Sequence, residues 1–148
     1  MRLALVEALK AQTKQEVPVG AILVKAGKVV ARAHNKRETT QIATAHAELL
    51  VIEKACAKFK TWRLEGCVLY VTLEPCAMCT GAALLARVDG IVYGASDPKG
   101  GCMGSVMDLT QIKAFNHKPW VVSGVLESEC GTILTTFFKN KRKLNSVL

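Results

Sequence analysis

Two short motifs combine residue types that bind a metal and move protons. His46-Ala47-Glu48 places an imidazole two residues before a carboxylate, and Cys76 and Cys79 form a Cys-x-x-Cys pair directly after Pro75. One imidazole and two thiolates suit Zn²⁺, and three protein ligands leave a fourth position open for water or substrate. The motifs together predict a catalytic zinc site, with Glu48 as the general base beside the metal.

Each motif alone is open to a simpler interpretation. A lone Cys-x-x-Cys also occurs in redox pairs and as half of a structural zinc site. A structural site needs a fourth ligand, which Cys102 or His117 could supply. Glu48 alone is typical of an acid that stabilises the first turn of a helix. These alternatives stay open at the level of residue types and spacing.

The elements that carry the motifs explain how their side chains can converge. Apolar residues recur at steps of three and four over residues 45–59, and a second helix is predicted over 76–87, after Pro75. Side chains lean toward the N-terminus of a helix, so His46 and Glu48 can meet over its first turn. The positive ends of both helix dipoles favour the thiolate form of cysteine.

The rest of the chain alternates strands with helices, which predicts an α/β fold. A hairpin turns at Gly27, and an N-terminal helix over residues 1–14 has apolar positions at Leu3, Leu5, Val6 and Leu9. We expect one domain over residues 1–148, a three-layer α/β/α sandwich around a five-stranded mixed sheet. Strands are predicted over residues 17–24, 29–34, 67–73, 90–93 and 120–122, further helices over 105–111 and 126–143, and a loop over 35–44.

Charge and composition narrow the partners and the compartment. The net charge is +8 with a pI near 9.3, and residues 137–148 hold four basic residues and no acid. This favours a polyanionic partner such as nucleic acid, although a solvated basic tail has the same composition. No apolar run approaches the roughly 20 residues that span a bilayer, and no signal peptide is evident.

The cysteines indicate a reducing compartment. Without a secretory signal, six cysteines predict free thiols in the cytoplasm rather than disulfides. Cys56, Cys67 and Cys130 lie in apolar segments and are expected to be small core residues.

The paired motifs resemble the signature of the cytidine deaminase superfamily. Beyond them, the chain is similar nearly from end to end to the family of bacterial tRNA-specific adenosine deaminases. That long similarity is more specific than the metal motif, which is shared by relatives acting on free nucleosides, nucleotides and guanine. The similar segments are Glu16-Val-Pro-Val-Gly-Ala21, His34-Asn35, Thr44-Ala-His-Ala-Glu48, Trp62-Arg-Leu-Glu-Gly-Cys67, Val71-Thr-Leu-Glu-Pro-Cys76, Val92-Tyr-Gly-Ala95, Asp97-Pro-Lys99, Asn116-His117 and Phe137-Phe138.

The resemblance implies a cytidine deaminase-like fold, a homodimer and one Zn²⁺ per subunit. It implies hydrolytic conversion of the wobble adenosine to inosine in a tRNA anticodon stem-loop, with an arginine tRNA bearing the ACG anticodon as substrate. The implied residues are His46, Cys76 and Cys79 on zinc, Glu48 as proton shuttle, Asn35 on the flipped adenine, Val17, Pro18 and Val19 as pocket wall, Asp97 and Lys99 beside neighbouring nucleotides, Phe137 and Phe138 against splayed bases, and Lys141 and Arg142 near phosphate.

Several of these positions have ordinary structural interpretations as well. Asn35 and Asp97 are common turn residues. Adjacent residues on a helix point about 100° apart, so one of Phe137 and Phe138 can be core while the other is exposed. Trp62 and Trp120 are interpreted as core or interface residues.

The sequence departs from the family in two places. The chain begins close to its first helix, and Ile42-Ala43 stands where the family commonly has a more polar pair with proline. The second departure lies in a loop that approaches the site, so it bears on the shape of the pocket mouth.

Two other functions share much of this pattern. A deaminase of a free base, nucleoside or nucleotide would keep the whole metal site, but the basic C-terminal segment and the long similarity argue against it. A noncatalytic, zinc-stabilised RNA-binding protein would bind RNA without releasing ammonia and would be indifferent to Glu48→Ala.

Overall fold

A computed structural model describes residues 1–145, so the last three residues of the domain predicted over 1–148 lie outside the described residues. None of the helices in the described part of the chain is long and apolar enough to cross a membrane. The elements are α1 (Arg2–Thr13), β1 (Gly20–Lys25), β2 (Lys28–His34), α2 (Arg37–Thr40), α3 (Ala47–Phe59), β3 (Cys67–Leu73), α4 (Ala77–Leu85), β4 (Gly90–Ala95), a 3₁₀ turn (Leu109–Gln111), β5 (Trp120–Val122) and α5 (Glu127–Asn145).

The five strands form one mixed sheet in the order β2-β1-β3-β4-β5. β1 pairs antiparallel with both β2 and β3, whereas β3, β4 and β5 run parallel. The hairpin between β1 and β2 turns at Ala26 and Gly27, whose φ angles of 48° and 72° are both positive. The predicted five-stranded mixed sheet, with its antiparallel hairpin and parallel crossovers, is therefore confirmed.

Helices α3 and α4 cover one face of the sheet. Leu23 and Ile91, from β1 and β4, are fully buried in one cluster with Val51 of α3 and Ala83 of α4. Because strand side chains alternate between faces, residues next to these in sequence point to the opposite side.

Helices α1 and α5 cover that opposite face. A Cβ added at Gly20 of β1 would lie 2.1 Å from the carbonyl oxygen of Ala4 in α1, and one at Gly94 of β4 would lie 2.3 Å from Cys130 Sγ in α5. With a helix pair on each face, the three-layer α/β/α sandwich is confirmed.

The face that α1 buries differs from the predicted one. Leu3, Val6 and Leu9 are 40%, 44% and 52% exposed. The helix lies so close to β1 at Gly20 that only small side chains fit between them, and size therefore overrides hydrophobicity. The residues that α1 buries are Ala4, Glu7, Ala8 and Ala11.

Glu7 is the polar member of that buried face. Its Oε2 lies 3.0 Å from His34 Nδ1 at the end of β2, and its Oε1 accepts a hydrogen bond from Lys10 at 2.6 Å. Burial opposes ionisation, but the hydrogen bonds from Lys10 and His34 outweigh it and hold the pKa of Glu7 below its usual value. A carboxylate is thus accommodated inside the α1–sheet interface.

Part of the predicted loop over 35–44 is a helical turn, α2. The carboxylate of Glu16 is fully buried and accepts hydrogen bonds from the backbone N–H groups of Glu38 and Thr39, at 3.1 and 2.6 Å. These are donors at the start of a helix, which a carboxylate satisfies well. A side chain 22 residues away in sequence therefore makes this turn helical.

Other differences are local. Only residues 109–111 of the short helix predicted over 105–111 are helical, as a 3₁₀ turn. Trp62 and Trp120 are 59% and 50% exposed, so neither is a core residue of this chain. The six cysteines are free thiols, with Cys67 and Cys130 buried as predicted and Cys56 partly buried.

We predict that Gly20→Ala destabilises the protein by about 1–3 kcal/mol, because the new methyl group meets backbone atoms of α1. The matched control is Gly131→Ala within α5, where nothing lies within 4 Å of the new Cβ. That change is expected to be neutral or to stabilise by up to about 1 kcal/mol, through helix propensity. Urea unfolding at one protein concentration measures both, and an unchanged midpoint for Gly20→Ala would contradict the close packing.

Candidate active site

The two motifs lie where α3 and α4 begin. His46 and Cys76 are the N-cap residues of these helices and have extended backbones, with φ and ψ of −78° and 151° for His46 and −73° and 176° for Cys76. Cys79 follows in the first turns of α4. The helix over 45–59 was thus predicted to begin two residues too early, and the cap positions bring both motifs to the same place.

His46, Cys76 and Cys79 form a compact set of potential metal ligands. His46 Nδ1 lies 3.8 Å from Cys76 Sγ and 3.6 Å from Cys79 Sγ, and the three ligand atoms are all within 4.8 Å of one another. Zinc bonds of about 2.3 Å to sulfur and 2.0–2.1 Å to nitrogen, at tetrahedral angles, imply ligand separations of roughly 3.5–3.8 Å. Both the donor types and the spacing fit a zinc ion.

The two alternative fourth ligands are placed elsewhere. Within residues 1–145, the metal-ligand cluster that contains His46 has only three members. Cys102 Sγ donates a hydrogen bond to the carbonyl of Gly100 at 3.4 Å, and His117 Nε2 lies 2.7 Å from the carbonyl of Val88. The arrangement therefore fits a three-ligand site with an open position rather than a closed structural site.

The cluster itself favours a thiolate. Hydrogen bonds from Cys79 and His46 lower the pKa of Cys76 to about 4. The pKa of Cys79 is raised, because its thiol donates to Cys76 and is also buried. The hydrogen bond between His46 Nδ1 and Cys76 Sγ raises the pKa of His46. Cys76 thus holds negative charge at the start of α4, where the helix dipole stabilises it.

Glu48 lies beside this cluster without belonging to it. Glu48 is only 4% exposed, and it lines the same pocket as His46 and Cys76. Burial raises the pKa of Glu48 to about 7, against the opposing effect of His46. A carboxyl group near the ligands, outside their set and protected from bulk water can exchange protons with a bound substrate.

The pocket also contains side chains from three other segments. Val17 and Val19 line it while Pro18, between them, is buried elsewhere, as alternation along an extended segment requires. Asn35 and Asp97 line it as well. Ala47, between the two motif residues His46 and Glu48, is part of the lining, and so are Arg37, Leu73 and Glu74, which sequence reasoning missed. The only signal for the missed residues was that Leu73 and Glu74 lie within a segment similar to the deaminases.

Asn35 is held by its backbone and side chain. Its N–H donates to Val19 O at 3.0 Å, its Nδ2 donates to Val17 O at 3.3 Å, and its Oδ1 accepts from Arg37 N at 3.3 Å. A primary amide has two N–H donors and two lone pairs on oxygen. One donor and one lone pair remain, and both can face a ligand in the pocket.

The implied RNA-contact residues of α5 are not brought into the pocket. Phe137 is 6% exposed and Phe138 is 43% exposed, and their rings meet edge to face at 5.4 Å. Lys141 Nζ lies 5.8 Å from the centre of the Phe137 ring, and Arg142 is exposed. Phe137 and Lys141 border a separate groove with the end of α1.

Lys99 lies in an exposed turn, where its backbone N–H donates to Asp97 Oδ1 at 3.0 Å. The segment that starts at Asp97 therefore has one residue in the pocket lining and another at the surface.

Comparison with known proteins gives one consistent result. Residues 1–142 match the model of the MafB19-like deaminase family. A tRNA-specific adenosine deaminase of Bacillus subtilis (strain 168) is 59% identical over 143 residues, covering 97% of this chain and 89% of the relative. One from Agrobacterium fabrum is 48% identical over 96% of this chain and 93% of its own length.

One solved structure agrees with these relatives. A structure from work on A-to-I editing by tRNA:A34 deaminases at the wobble position of transfer RNA is 49% identical, with a TM-score of 0.86. The match covers 90% of this chain and 97% of that one.

We predict that the purified protein holds about one zinc ion per chain and that Cys79→Ser loses it, together with the stability that metal binding adds. Cys102→Ser is the matched control, because Cys102 is also buried but lies outside the ligand cluster. Metal analysis and thermal unfolding, each with and without a chelator, measure both effects. Equal zinc content in Cys79→Ser and wild type would contradict the assignment of ligands.

Proposed function

This chain belongs to the MafB19-like deaminase family, within the cytidine deaminase superfamily and among the tRNA-specific adenosine deaminases, and on that premise we propose that it converts the wobble adenosine of a tRNA anticodon loop to inosine. One observation carries the proposal most directly: His46 and Cys76 of the three-ligand cluster line one pocket with the buried Glu48 and with Asn35. That arrangement supplies a metal site, a proton carrier and a group that reads a base.

The proposed reaction is hydrolysis: adenosine and water give inosine and ammonia. A zinc ion held by His46, Cys76 and Cys79 would supply the Lewis acidity that makes water nucleophilic at neutral pH. The water oxygen bonds to C6 of adenine, and the C6–N bond of the exocyclic amine breaks. Glu48 takes one proton from the water and gives it to the ring nitrogen next to C6. It then takes the second proton, from the new hydroxyl on C6, and gives it to the amine, which leaves as ammonia while C6 becomes the carbonyl carbon of inosine.

Binding of the base is assigned to the opposite wall of the pocket. The free donor and acceptor of the Asn35 amide can pair with the edge of an extruded adenine, and Val17 and Val19 provide apolar contact for its ring. Asp97 at the rim and Lys99 nearby would meet the neighbouring nucleotides. An anticodon loop is already largely unpaired, so moving one base into the pocket costs little.

The RNA partner is supported by charge as well as by the pocket. The net charge is +8, and the last part of α5 presents exposed cations beside the exposed ring of Phe138. Aromatic rings that stack on bases and cations that pair with phosphates are the usual means of holding single-stranded RNA. Phe137 is buried, so Phe138 is the member of the pair available for stacking.

Three finer assignments form part of the proposal. The substrate is an arginine tRNA with the ACG anticodon, the compartment is the cytoplasm, where such a tRNA is used, and the active form is a homodimer. Leu85, Met107 and Phe115 are 72%, 51% and 43% exposed. Leu85 and Phe115 line one groove. A contiguous apolar surface is typical of an interface with another protein, and a second copy of the chain would cover this one.

The proposal is tested by incubating zinc-loaded protein with an arginine tRNA transcript bearing the ACG anticodon and, separately, with free adenosine. Mass spectrometry of digested nucleosides is expected to find inosine in the tRNA only. Comparable inosine from free adenosine would overturn the RNA substrate, and inosine from neither would overturn adenosine deamination.

Glu48→Ala is expected to keep its zinc and to lose at least about 100-fold in kcat, since general acid–base groups typically contribute factors of 10²–10⁴. Glu53→Ala is the control, because Glu53 lies on the same helix but is exposed. Ammonia release and zinc content are measured for both. Normal turnover by Glu48→Ala would remove the proton-shuttle role, and RNA binding without ammonia release by wild type would favour a noncatalytic RNA-binding protein.

A further inference from the structure

Glu74 is a buried carboxylate between β3 and the ligand Cys76. It is 2% exposed. Its Oε1 accepts hydrogen bonds from the backbone N–H groups of Met103 and Ser105, at 3.0 and 3.1 Å. Its Oε2 accepts from the backbone N–H of Asp97 at 3.0 Å and from the hydroxyl of Ser105. All four donors belong to residues 97–105, which we call the rim segment.

The rim segment is folded tightly around this carboxylate. Gly101 pairs with Cys76 in an isolated antiparallel bridge, and the N–H of Cys102 donates to Pro75 O at 2.9 Å. A Cβ added at Gly101 would lie 2.3 Å from Glu74 Cδ, so a side chain there would displace the carboxylate. The segment therefore depends on Glu74 for its hydrogen bonds and on Gly101 for its close approach.

The four hydrogen bonds leave Glu74 without capacity for chemistry. A carboxylate offers about four lone-pair sites, and the rim segment uses four. Although Glu74 borders the pocket, it cannot take up a proton or bind a ligand without releasing one of these contacts. Its role must therefore be exerted through the segment that it holds.

That segment begins in the pocket. Asp97 lines the pocket together with His46 and Cys76, and the backbone N–H of Asp97 is one of the four donors to Glu74. Glu74 is two residues before Cys76 in sequence, so one short stretch of chain carries both a metal ligand and the anchor of the pocket rim. The distance between the reacting centre and Asp97 is thereby fixed.

We propose that Glu74 is a positioning residue for substrate binding: it holds the rim segment, and with it Asp97, at a set place relative to the metal ligands. It determines how well the nucleotides beside the target base are held, and it takes no part in proton transfer. The inference rests on the proposed function for its kinetic readout.

Glu74→Gln tests this with little change in volume. An NH₂ group at the Oε1 position would meet two backbone N–H donors and lose both hydrogen bonds. At the Oε2 position it loses the hydrogen bond from Asp97 N–H, while the Ser105 hydroxyl can turn to accept from it. In either orientation at least one backbone hydrogen bond is lost, and the remaining bonds no longer have a charged acceptor. We expect KM for the anticodon stem-loop to rise roughly tenfold or more, because hydrogen bonds to a charged group are strong. We also expect kcat to stay within about threefold and zinc to stay near one per chain, since Glu48 and the ligands are untouched.

Ser105→Ala is a second variant that keeps the buried carboxylate. Ser105 is exposed, so the fold tolerates the change, and only the hydroxyl donor is removed. A smaller rise in KM, by about threefold, is expected for the loss of one hydrogen bond. In the double variant with Glu74→Gln, KM is expected to rise by less than the product of the two single-variant factors, because both substitutions act on the same contact.

Leu69→Ala is the control for general destabilisation. Leu69 is fully buried in the middle of β3, the strand that leads to Glu74, but it lies outside the rim segment. We expect it to lower thermal stability and to leave KM unchanged. An equal rise in KM for Leu69→Ala and Glu74→Gln would overturn the positioning role, as would an unchanged KM or a loss of zinc in Glu74→Gln.

Hydrogen–deuterium exchange separates this inference from the proposed function. In Glu74→Gln, the amides of the rim segment are expected to exchange roughly tenfold faster than in wild type or Leu69→Ala, with or without RNA. If wild type forms no inosine in tRNA, the proposed function fails, and the exchange comparison alone decides whether Glu74 holds the segment. Unchanged exchange in Glu74→Gln would overturn the inference in either case.

Discussion

Two helices begin at the same point on one face of the sheet, and the structure is organised around that meeting. Each helix N-terminus carries about half a positive charge together with unpaired N–H groups, so two of them side by side are unfavourable without negative charge. His46 and Cys76 cap α3 and α4, and the low pKa of Cys76 places an anion between the helices. The potential ligands therefore stabilise the helix pair as well as preparing a metal site.

Buried carboxylates fix the two sides of the pocket. Glu16 accepts N–H groups from α2, which carries Arg37, and Glu74 accepts N–H groups from the rim segment, which carries Asp97. Both Arg37 and Asp97 line the pocket. Each side of the pocket is thus held by a buried anion: hydrogen-bond donors outweigh the cost of burial at both carboxylates, and the charge of Arg37 adds to this at Glu16. Glu48 is different, since burial raises its pKa to about 7, and on the proposed function it is the carboxyl group that exchanges protons.

The sequence predicted the elements and the metal motif well because both depend on local patterns. Cys67–Leu73 and Trp120–Val122 are strands with the predicted bounds, and both motifs begin helices. The prediction of which face α1 buries was wrong. Periodicity reflects hydrophobicity alone, whereas the close approach at Gly20 on the facing strand leaves room only for small side chains. Glu74 and Glu16 escaped notice because their partners lie 22 to 31 residues away, and no local pattern marks such a contact.

The pocket and the basic surface of α5 are separate, and on the proposed function this separation has a purpose. A free nucleoside reaches only the pocket, where one base can contact Asn35 and the two valines. In that function an anticodon loop would contact α5 as well as the pocket, so contacts at Phe138 and the nearby cations would add binding energy away from the reacting carbon. Binding free energy from contacts remote from the reacting carbon can be used to hold the base in its reactive position. Selectivity for RNA over nucleosides then comes from contacts that a free nucleoside cannot make, at α5 and at the rim segment, rather than from the groups that hold the target base.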